Sequence, residues 1–183
     1  MVSRHAVIVV AAVVVAAFGA VLVSAVESKK AEAASVVRTC GGGKIRLNAK
    51  EERILHLHNQ ARKSRGIRAL CVHPALTKAA RAHSADMIRR DYFSHNTKGK
   101  GENACERMRR YGYRWRACGE NIAWGAGSRG SPEKIFRGWM DSRVHRSNIL
   151  AKKFREVGIG TATGAYKGTK GATMYTVDFG RRR

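Results

Sequence analysis

The chain has 183 residues and carries 36 lysines and arginines against 13 aspartates and glutamates, so its formal net charge is +23 at pH 7. Such a charge attracts polyanions, including anionic lipid surfaces, acidic envelope polymers and nucleic acid. The basic residues are scattered and no aromatic-interleaved nucleic-acid motif accompanies them, which argues against specific nucleic-acid binding. A solvated surface that keeps the protein soluble is the alternative explanation of the charge.

The N-terminal segment decides the predicted compartment. Arg4 precedes an apolar run over residues 6–26 that contains no charged side chain. The tripeptides V-S-A at 23–25 and A-E-A at 31–33 match the pattern that signal peptidase cleaves. We therefore predict that residues 1–33 are a signal peptide and that the protein is secreted. The run is also long enough to span a bilayer, so an uncleaved anchor on the outer face of the cytoplasmic membrane stays open.

Residues 34–183 suit one domain, which we divide into an N-terminal arm at 34–48 and a globular part at 49–181. Loss of residues 1–33 would remove three basic and two acidic side chains and leave a charge of +22. Export favours disulfide bonds over free thiols for the four cysteines, and the absence of a C-x-x-C motif excludes a zinc ribbon. Three pairings are possible. The sequential pairing, Cys40 with Cys71 and Cys105 with Cys118, closes the shortest loops and is preferred.

Helix signals dominate the first two thirds of the globular part. Asn48 and Glu51 have capping-box spacing, and Pro74 and Pro132 stand at first helical positions. Apolar residues then recur at helical spacing. Four helices are predicted: from Asn48 to Gly66, from Pro74 to about Tyr92, near Glu102 to Tyr111, and from Ser131 to about Ser142.

Strand signals come late. Residues 157–161 and 174–179 alternate and are rich in β-branched side chains, and a Gly/Lys-rich turn is predicted at 164–171 between them. These segments predict a β-hairpin. Helices first and strands late indicate an α+β fold, in which helices cover a small antiparallel sheet.

Several short motifs occur in the order and spacing of one protein family over about residues 50–180. They are H-P-A-L at 73–76 leading into A-R-A-H-S at 80–84, Y-F-S-H at 92–95, G-E-N-I-A at 119–123, W-M-D-S at 139–142 leading into H-R-S-N-I-L at 145–150, V-G-I-G at 157–160 and D-F-G at 178–180. In these motifs the chain resembles the CAP superfamily (cysteine-rich secretory proteins, antigen 5, pathogenesis-related 1), and its H-R-x-N-I-L form resembles the bacterial branch. The resemblance implies a three-layer α-β-α sandwich with a broad cleft.

The resemblance also implies a site. It places His95, Glu120 and His145 in the cleft, where several family members bind a divalent metal, together with Asn121 and Ser142. Ser142 stands where the wider family has the acid of W-x-x-E, and Asp141 cannot substitute because one helical position rotates a side chain by about 100°. Two imidazoles and a carboxylate can hold Zn²⁺ and leave a position open, and calcium is the other candidate. The alternative is a polar network that only holds the cleft together.

Three functions follow from these residues. The favoured one is a secreted, non-enzymatic binding module, whose cleft holds a divalent metal or a lipid-like ligand and whose basic surface meets anionic envelope components. The second is a metal-dependent hydrolase with Glu120 as base, but Glu120 cannot be both ligand and base, and Ser142 replaces the second acid. The third is a structural protein tethered by the N-terminal segment. No catalytic residue is assigned.

Overall fold

The computed structural model describes residues 34–183, and the predicted signal peptide or anchor lies outside these residues. Five α-helices occur there: α1 Ala49–Lys63, α2 Pro74–Arg89, α3 Ala104–Arg110, α4 Pro132–Asp141 and α5 Arg143–Leu150. None of them combines the length and the apolar character that a membrane crossing requires.

The helix starts follow from local sequence. Asn48 accepts a hydrogen bond from the Glu51 N–H at 3.0 Å, and the Glu51 carboxylate accepts one from the Asn48 N–H at 3.1 Å. These two bonds are the predicted capping box. Pro74 and Pro132 begin α2 and α4 as expected. The fourth predicted helix ends one residue early, at Asp141, and the H-R-S-N-I-L segment lies in a separate helix, α5.

The strands form two sheets. β1 Ser35–Arg38 and β2 Lys44–Leu47 form a hairpin in the N-terminal arm. The remaining strands are β3 Cys71–Val72, β4 Trp115–Ala126, β5 Glu156–Tyr166 and β6 Thr169–Arg182. They are ordered β3-β5-β6-β4, and every neighbouring pair is antiparallel except β3 and β5. The small sheet of the prediction is therefore present and mostly antiparallel.

The β5–β6 hairpin has a shorter turn than predicted. Tyr166 pairs with Thr169, and the turn is Lys167-Gly168, with φ of 44° and 76°. Positive φ at both central residues is what tight type I′ hairpin turns require. The predicted turn over 164–171 was too long because glycines 164 and 171 lie within the strands.

Two glycines of β5 let α2 lie directly on the sheet. A Cβ at Gly158 would stand 2.0 Å from the Leu76 carbonyl carbon, and one at Gly160 would stand 2.2 Å from the Arg81 nitrogen. No larger residue fits without moving α2. Successive strand residues face opposite sides, so Val157 and Ile159 face away from α2. They join a core with side chains of α1, α4 and α5, which include Ile54, Trp139 and Ile149. The result is the α-β-α sandwich.

Disulfides join the outer segments to this sandwich in the sequential pairing. Cys40–Cys71 connects the N-terminal arm to β3, and Cys105–Cys118 connects α3 to β4. Cross-links that close loops of these lengths stabilise a domain by roughly 3 to 4 kcal/mol in the chain-entropy model.

A buried histidine makes the stability of this core dependent on pH. His58 of α1 is fully buried, its Nδ1 bonds the Ile54 carbonyl at 2.8 Å, and its Nε2 has no partner within residues 34–183. Burial lowers the pKa of His58 from 6.5 to about 4. Folding therefore favours the neutral ring. The contribution of the neutral His58 ring to the free energy of unfolding is complete above pH ~6.5. It is lost as the pH falls toward 4, because the unfolded chain binds a proton at His58 that the folded chain does not bind.

We expect acidification from pH 6.5 to 4 to remove about 3 kcal/mol through His58 alone. Urea titrations at several pH values measure this, with His58→Gln as the variant that removes the titrating ring. The slope of unfolding free energy against pH should be smaller in His58→Gln than in the parent. The exposed His56→Gln serves as the matched control and should keep the parental slope. Equal slopes in all three chains would contradict the assignment.

Candidate functional site

Glu120 of β4 lies at the centre of the candidate site. Its side chain is 2% exposed. Oε1 contacts Nδ1 of His95 at 2.7 Å, and Oε2 pairs with the guanidinium of Arg107. An ionised carboxylate can only accept, so Nδ1 of His95 carries the proton in this contact. Both oxygens of Glu120 are therefore engaged, while His95 itself remains about half exposed.

Arg107 of α3 fixes both partners of this contact. Its guanidinium is 1% exposed and donates to the His95 carbonyl at 3.1 Å and to Thr97 Oγ1 at 3.4 Å, in addition to Glu120. One side chain thus connects α3, the loop after α2 and β4. A buried charge is tolerated when an opposite charge and further hydrogen bonds satisfy it. The two terminal nitrogens of Arg107 meet these conditions, while its Nε has no partner within residues 34–183.

Asp178 of β6 is the second buried acid. It stands directly opposite Glu120 in the β4–β6 register, is fully buried, and has no hydrogen bond to either carboxyl oxygen within the described residues. Burial, followed by the negative charge of Glu120, raises its pKa well above the ordinary value. The neutral acid is therefore favoured, and Arg107 is left with one charged partner, Glu120.

His145 lies on α5 beside the edge strand β4. Its carbonyl accepts from Asn121 Nδ2 at 3.0 Å, and Asn148 donates to the Glu120 carbonyl at 3.1 Å and to Asn121 Oδ1 at 2.9 Å. The G-E-N and H-R-S-N motifs are thus held together by three amide hydrogen bonds. Partial burial and, next, the charge of His95 lower the pKa of His145. The two imidazoles are therefore electrostatic neighbours.

Asn121 and Ser142 have supporting positions in this arrangement. Asn121 is fully buried under α5, where it positions the backbone of His145. Ser142 joins α4 to α5: its N–H donates to the Gly138 carbonyl at 3.2 Å and its carbonyl accepts from the Arg146 N–H at 2.8 Å. Its hydroxyl caps neither helix.

A cleft of about 600 Å³ opens beside His95 and Glu120, between α3 and β4. Neither His145, Asn121 nor Ser142 is among its lining residues. The wall combines amide, charged, imidazole and indole groups: His95, Asn96, Asn103, Ala104, Cys105, Glu106, Arg109, Trp115, Gly119 and Glu120. The Cys105–Cys118 disulfide forms part of this wall and ends two residues before Glu120, so it positions the cleft as well as stabilising the fold.

The three predicted metal ligands do not converge to a compact set of ligand atoms. Across residues 34–183, Cys40, Cys71 and Glu156 are the only such group within 4.8 Å of one another, and the two cysteines form a disulfide. In the predicted set, Glu120 contacts Nδ1 of His95 and leaves the other ring nitrogen, Nε2, to a ligand. This geometry resembles the carboxylate that orients a metal-binding histidine in many proteins, with Nε2 directed at the ion.

Arg107 and Asp178 were missed by the sequence predictions. Arg107 stands in the run R-M-R-R at 107–110, and nothing in that run marks which arginine is buried. Asp178 belongs to the D-F-G motif that supported the resemblance, so its place in that motif was the available signal. β4 was also missed as a strand. Its central residues Gly119, Glu120 and Asn121 break the apolar alternation by which a strand is recognised.

Comparison with known proteins agrees with this fold. The Cysteine-rich secretory protein family, CAP, matches residues 55–179. The chain belongs to the CAP family. It is 33% identical over 133 residues to YkwD of Bacillus subtilis, an uncharacterized protein, and 31% identical over 110 residues to YlbC, an uncharacterized membrane protein of the same organism. These matches cover 73% and 60% of this chain, but only 50% and 31% of YkwD and YlbC.

Solved structures share the architecture. An extracellular protein of Bacillus anthracis with an SCP domain matches at a TM-score of 0.62 and 28% identity, covering 73% of this chain and 40% of that one. An outer surface protein of Borrelia burgdorferi matches at a TM-score of 0.63 and 16% identity over 82% of this chain and all of that one. At such low identity the second likeness concerns the fold alone.

Proposed function

We propose that this CAP domain is a secreted, non-enzymatic binding module. Its two functional parts are the cleft beside His95 and Glu120, which we call the histidine cleft, and a basic surface for anionic envelope components. The observation that carries the proposal is the engagement of both Glu120 oxygens by His95 and Arg107. The hydrolase considered above needs Glu120 as a base that is free to take a proton from water. Glu120 is instead held as an acceptor. Asp178 is buried, and Glu106, in the cleft wall, accepts from the Asn103 N–H in the cap of α3.

A divalent metal would find two imidazoles here, His95 in the cleft wall and His145 of α5 outside that wall, and the structure does not gather their ligand atoms with Glu120 into one compact set. His95 and His145 would supply the nitrogens, and Glu120 would orient His95. A bound Zn²⁺ would act as a Lewis acid toward a ligand oxygen. With two imidazoles as protein ligands, we expect weaker binding than at a structural site with four. The polar groups around the cleft favour a small polar ligand or a headgroup over an acyl chain.

The basic surface is the second part of the proposal. A charge near +22 on residues 34–183 produces a field that concentrates anionic surfaces. Secretion, or retention at the outer face of the cytoplasmic membrane, would place this field against the cell envelope. The extracellular SCP-domain protein of B. anthracis, at 28% identity, supports the same placement.

Zinc titration of the full-length chain in a neutral detergent tests the cleft. We expect one zinc ion per chain at pH 7 and at least about tenfold weaker binding in His95→Ala and in His145→Ala, since each removes one of two ligands. His56→Ala, an exposed histidine on α1, is the matched control and should bind as the parent does. Equal stoichiometry and affinity in all four chains would remove the metal from the proposal.

A further inference from the structure

A second cavity, of about 630 Å³, has Arg107 in its wall, whereas the wall of the histidine cleft contains Glu120, the partner of Arg107. It opens between the C-terminal half of α2, the loop at 97–100 and α3. Six cationic side chains contribute to its wall: Arg89, Arg90, Lys98, Lys100, Arg107 and Arg110. We call it the cationic pocket. None of its six cationic residues belongs to the CAP motifs or to the predicted site residues.

The carboxylates around the cationic pocket are already engaged. Asp86 pairs with Arg89 and Arg90, and accepts from the Tyr92 hydroxyl at 2.8 Å. Glu102 pairs with Arg110 through both oxygens.

Glu120, the third carboxylate, pairs with Arg107. Three carboxylates thus face six cations, and an excess of three positive charges remains. Neither Lys98 nor Lys100 forms an ion pair within residues 34–183.

The loop that carries these two lysines is held in place. Lys98 Nζ donates to the Arg90 carbonyl at 2.9 Å, and the Lys100 N–H donates to the Thr97 carbonyl at 3.1 Å. The Thr97 N–H in turn donates to the Glu102 carbonyl at 2.8 Å. Gly99 has a φ of 72°, in the left-handed region that glycine adopts readily. The backbone of the loop and the Lys98 ammonium are therefore held at one rim of the pocket, and Lys100 lies on the same loop.

We propose that the cationic pocket binds a phosphate group. Guanidinium forks and ammonium groups together bind phosphate oxygens through charge-assisted hydrogen bonds, and a dianion or diester neutralises part of the excess charge. The inference rests on the proposed basic surface and gives it one location. An anionic lipid headgroup and a soluble or polymeric phosphodiester share this chemistry.

Two double variants of equal charge separate the pocket from the general field. Lys98→Gln/Lys100→Gln removes the two unpaired rim charges. Lys50→Gln/Lys63→Gln removes two exposed, unpaired lysines from α1, in the opposite helix layer. Calorimetric titration of the full-length chain with sn-glycerol 3-phosphate, in neutral detergent at low salt, gives the first readout. Co-sedimentation with phosphatidylglycerol vesicles, relative to phosphatidylcholine vesicles, gives the second.

We expect the rim variant to weaken binding by at least about tenfold, and the α1 variant to stay within about twofold of the parent. Rim-dependent binding of the soluble phosphate alone assigns the pocket to a free or polymeric phosphate, and rim-dependent vesicle binding alone assigns it to a lipid headgroup. If both variants lose binding equally, or if neither loses binding, the proposed phosphate site in the cationic pocket is wrong, and the proposed general basic surface is unaffected. A parent chain without preference for anionic vesicles would count against the proposed basic surface, yet rim-dependent binding of the soluble phosphate would still support the pocket.

Discussion

Glu120→Gln is expected to lower the free energy of unfolding by about 3 to 5 kcal/mol, although the two side chains have nearly the same shape. Within the part of the chain that the structure describes, the substitution removes the only carboxylate paired with Arg107, whose guanidinium is 1% exposed. An uncompensated buried charge is among the most costly changes a core can suffer. Urea unfolding followed by tryptophan fluorescence measures the loss.

Glu133→Gln is the matched control for this experiment. Glu133 also pairs with an arginine, Arg53, but both side chains are nearly half exposed. Exposed ion pairs contribute about 0 to 1 kcal/mol, so the control should lie close to the parent. The neighbouring Asp178 could ionise and replace part of the lost charge, and the double variant Glu120→Gln/Asp178→Asn tests this. The double variant should lose more free energy of unfolding than the two single variants lose in sum. Similar small effects of Glu120→Gln and Glu133→Gln would contradict the buried pair.

Arg62→Met is the second substitution with a large expected effect, a loss of at least about 3 kcal/mol. Arg62 of α1 is fully buried and bonds four carbonyls with no carboxylate among its partners. The four bonds reach the carbonyls of Arg68 at 2.8 Å, Ile149 at 2.8 Å, Ala151 at 3.1 Å and Phe154 at 3.0 Å. Methionine keeps most of the apolar volume and removes the arginine donor from all four carbonyls, of which Ala151 still accepts from the Phe154 N–H at 3.2 Å.

Loss of the Arg62 side chain should weaken several elements at once, because Arg62 lies between them. Its bonds connect α1 to the C-terminal end of α5, where the carbonyls carry partial negative charge, and to the segment that enters β5. Arg62→Lys keeps the charge but not the planar fork, so it should fall between the parent and Arg62→Met. The exposed Arg65→Met, which loses one carbonyl bond, to Ala61, should cost no more than about 1 kcal/mol. If Arg62→Met unfolds at the same urea concentration as the parent chain, the four hydrogen bonds make no net contribution to the free energy of unfolding.

The sequence predicted those elements whose signals are local. The capping box at Asn48 and the prolines at 74 and 132 mark helix starts because they satisfy or avoid the first free N–H groups of a helix, whatever the rest of the chain does. The β5–β6 hairpin was also visible, since alternation and glycines are local as well. Only the exact turn was misjudged.

The elements that the sequence could not predict depend on distant partners. Arg62 and Arg107 are buried because carbonyls and a carboxylate from other elements surround them, and neither differs in sequence context from the exposed arginines nearby. Glu120 was predicted as a site residue, but its partner Arg107 was not, so the engagement of both its oxygens was invisible. Local sequence patterns are often interrupted where side chains form a functional site. The strand pattern of β4 is interrupted in this way at Gly119, Glu120 and Asn121, so the strand was not predicted.

Arg107 connects the two cavities structurally. It lines the cationic pocket and holds Glu120, which lines the histidine cleft. The Cys105–Cys118 disulfide anchors the helix that carries Arg107 to the strand that carries Glu120. A ligand bound on one side thus lies against a side chain that positions the other.

The protonation pattern of the His95 ring tests most directly whether Glu120 is an orienting acceptor and not a free base. Long-range ¹⁵N–¹H correlation spectra of the ¹⁵N-labelled full-length chain, in neutral detergent at alkaline pH without added metal, distinguish the two neutral tautomers. We expect Nδ1 of His95 to carry the proton and Nε2 to be bare, because the Glu120 carboxylate accepts from Nδ1. In Glu120→Gln this preference should weaken. A ring protonated at Nε2 in the parent chain would contradict the arrangement on which the proposed binding function rests.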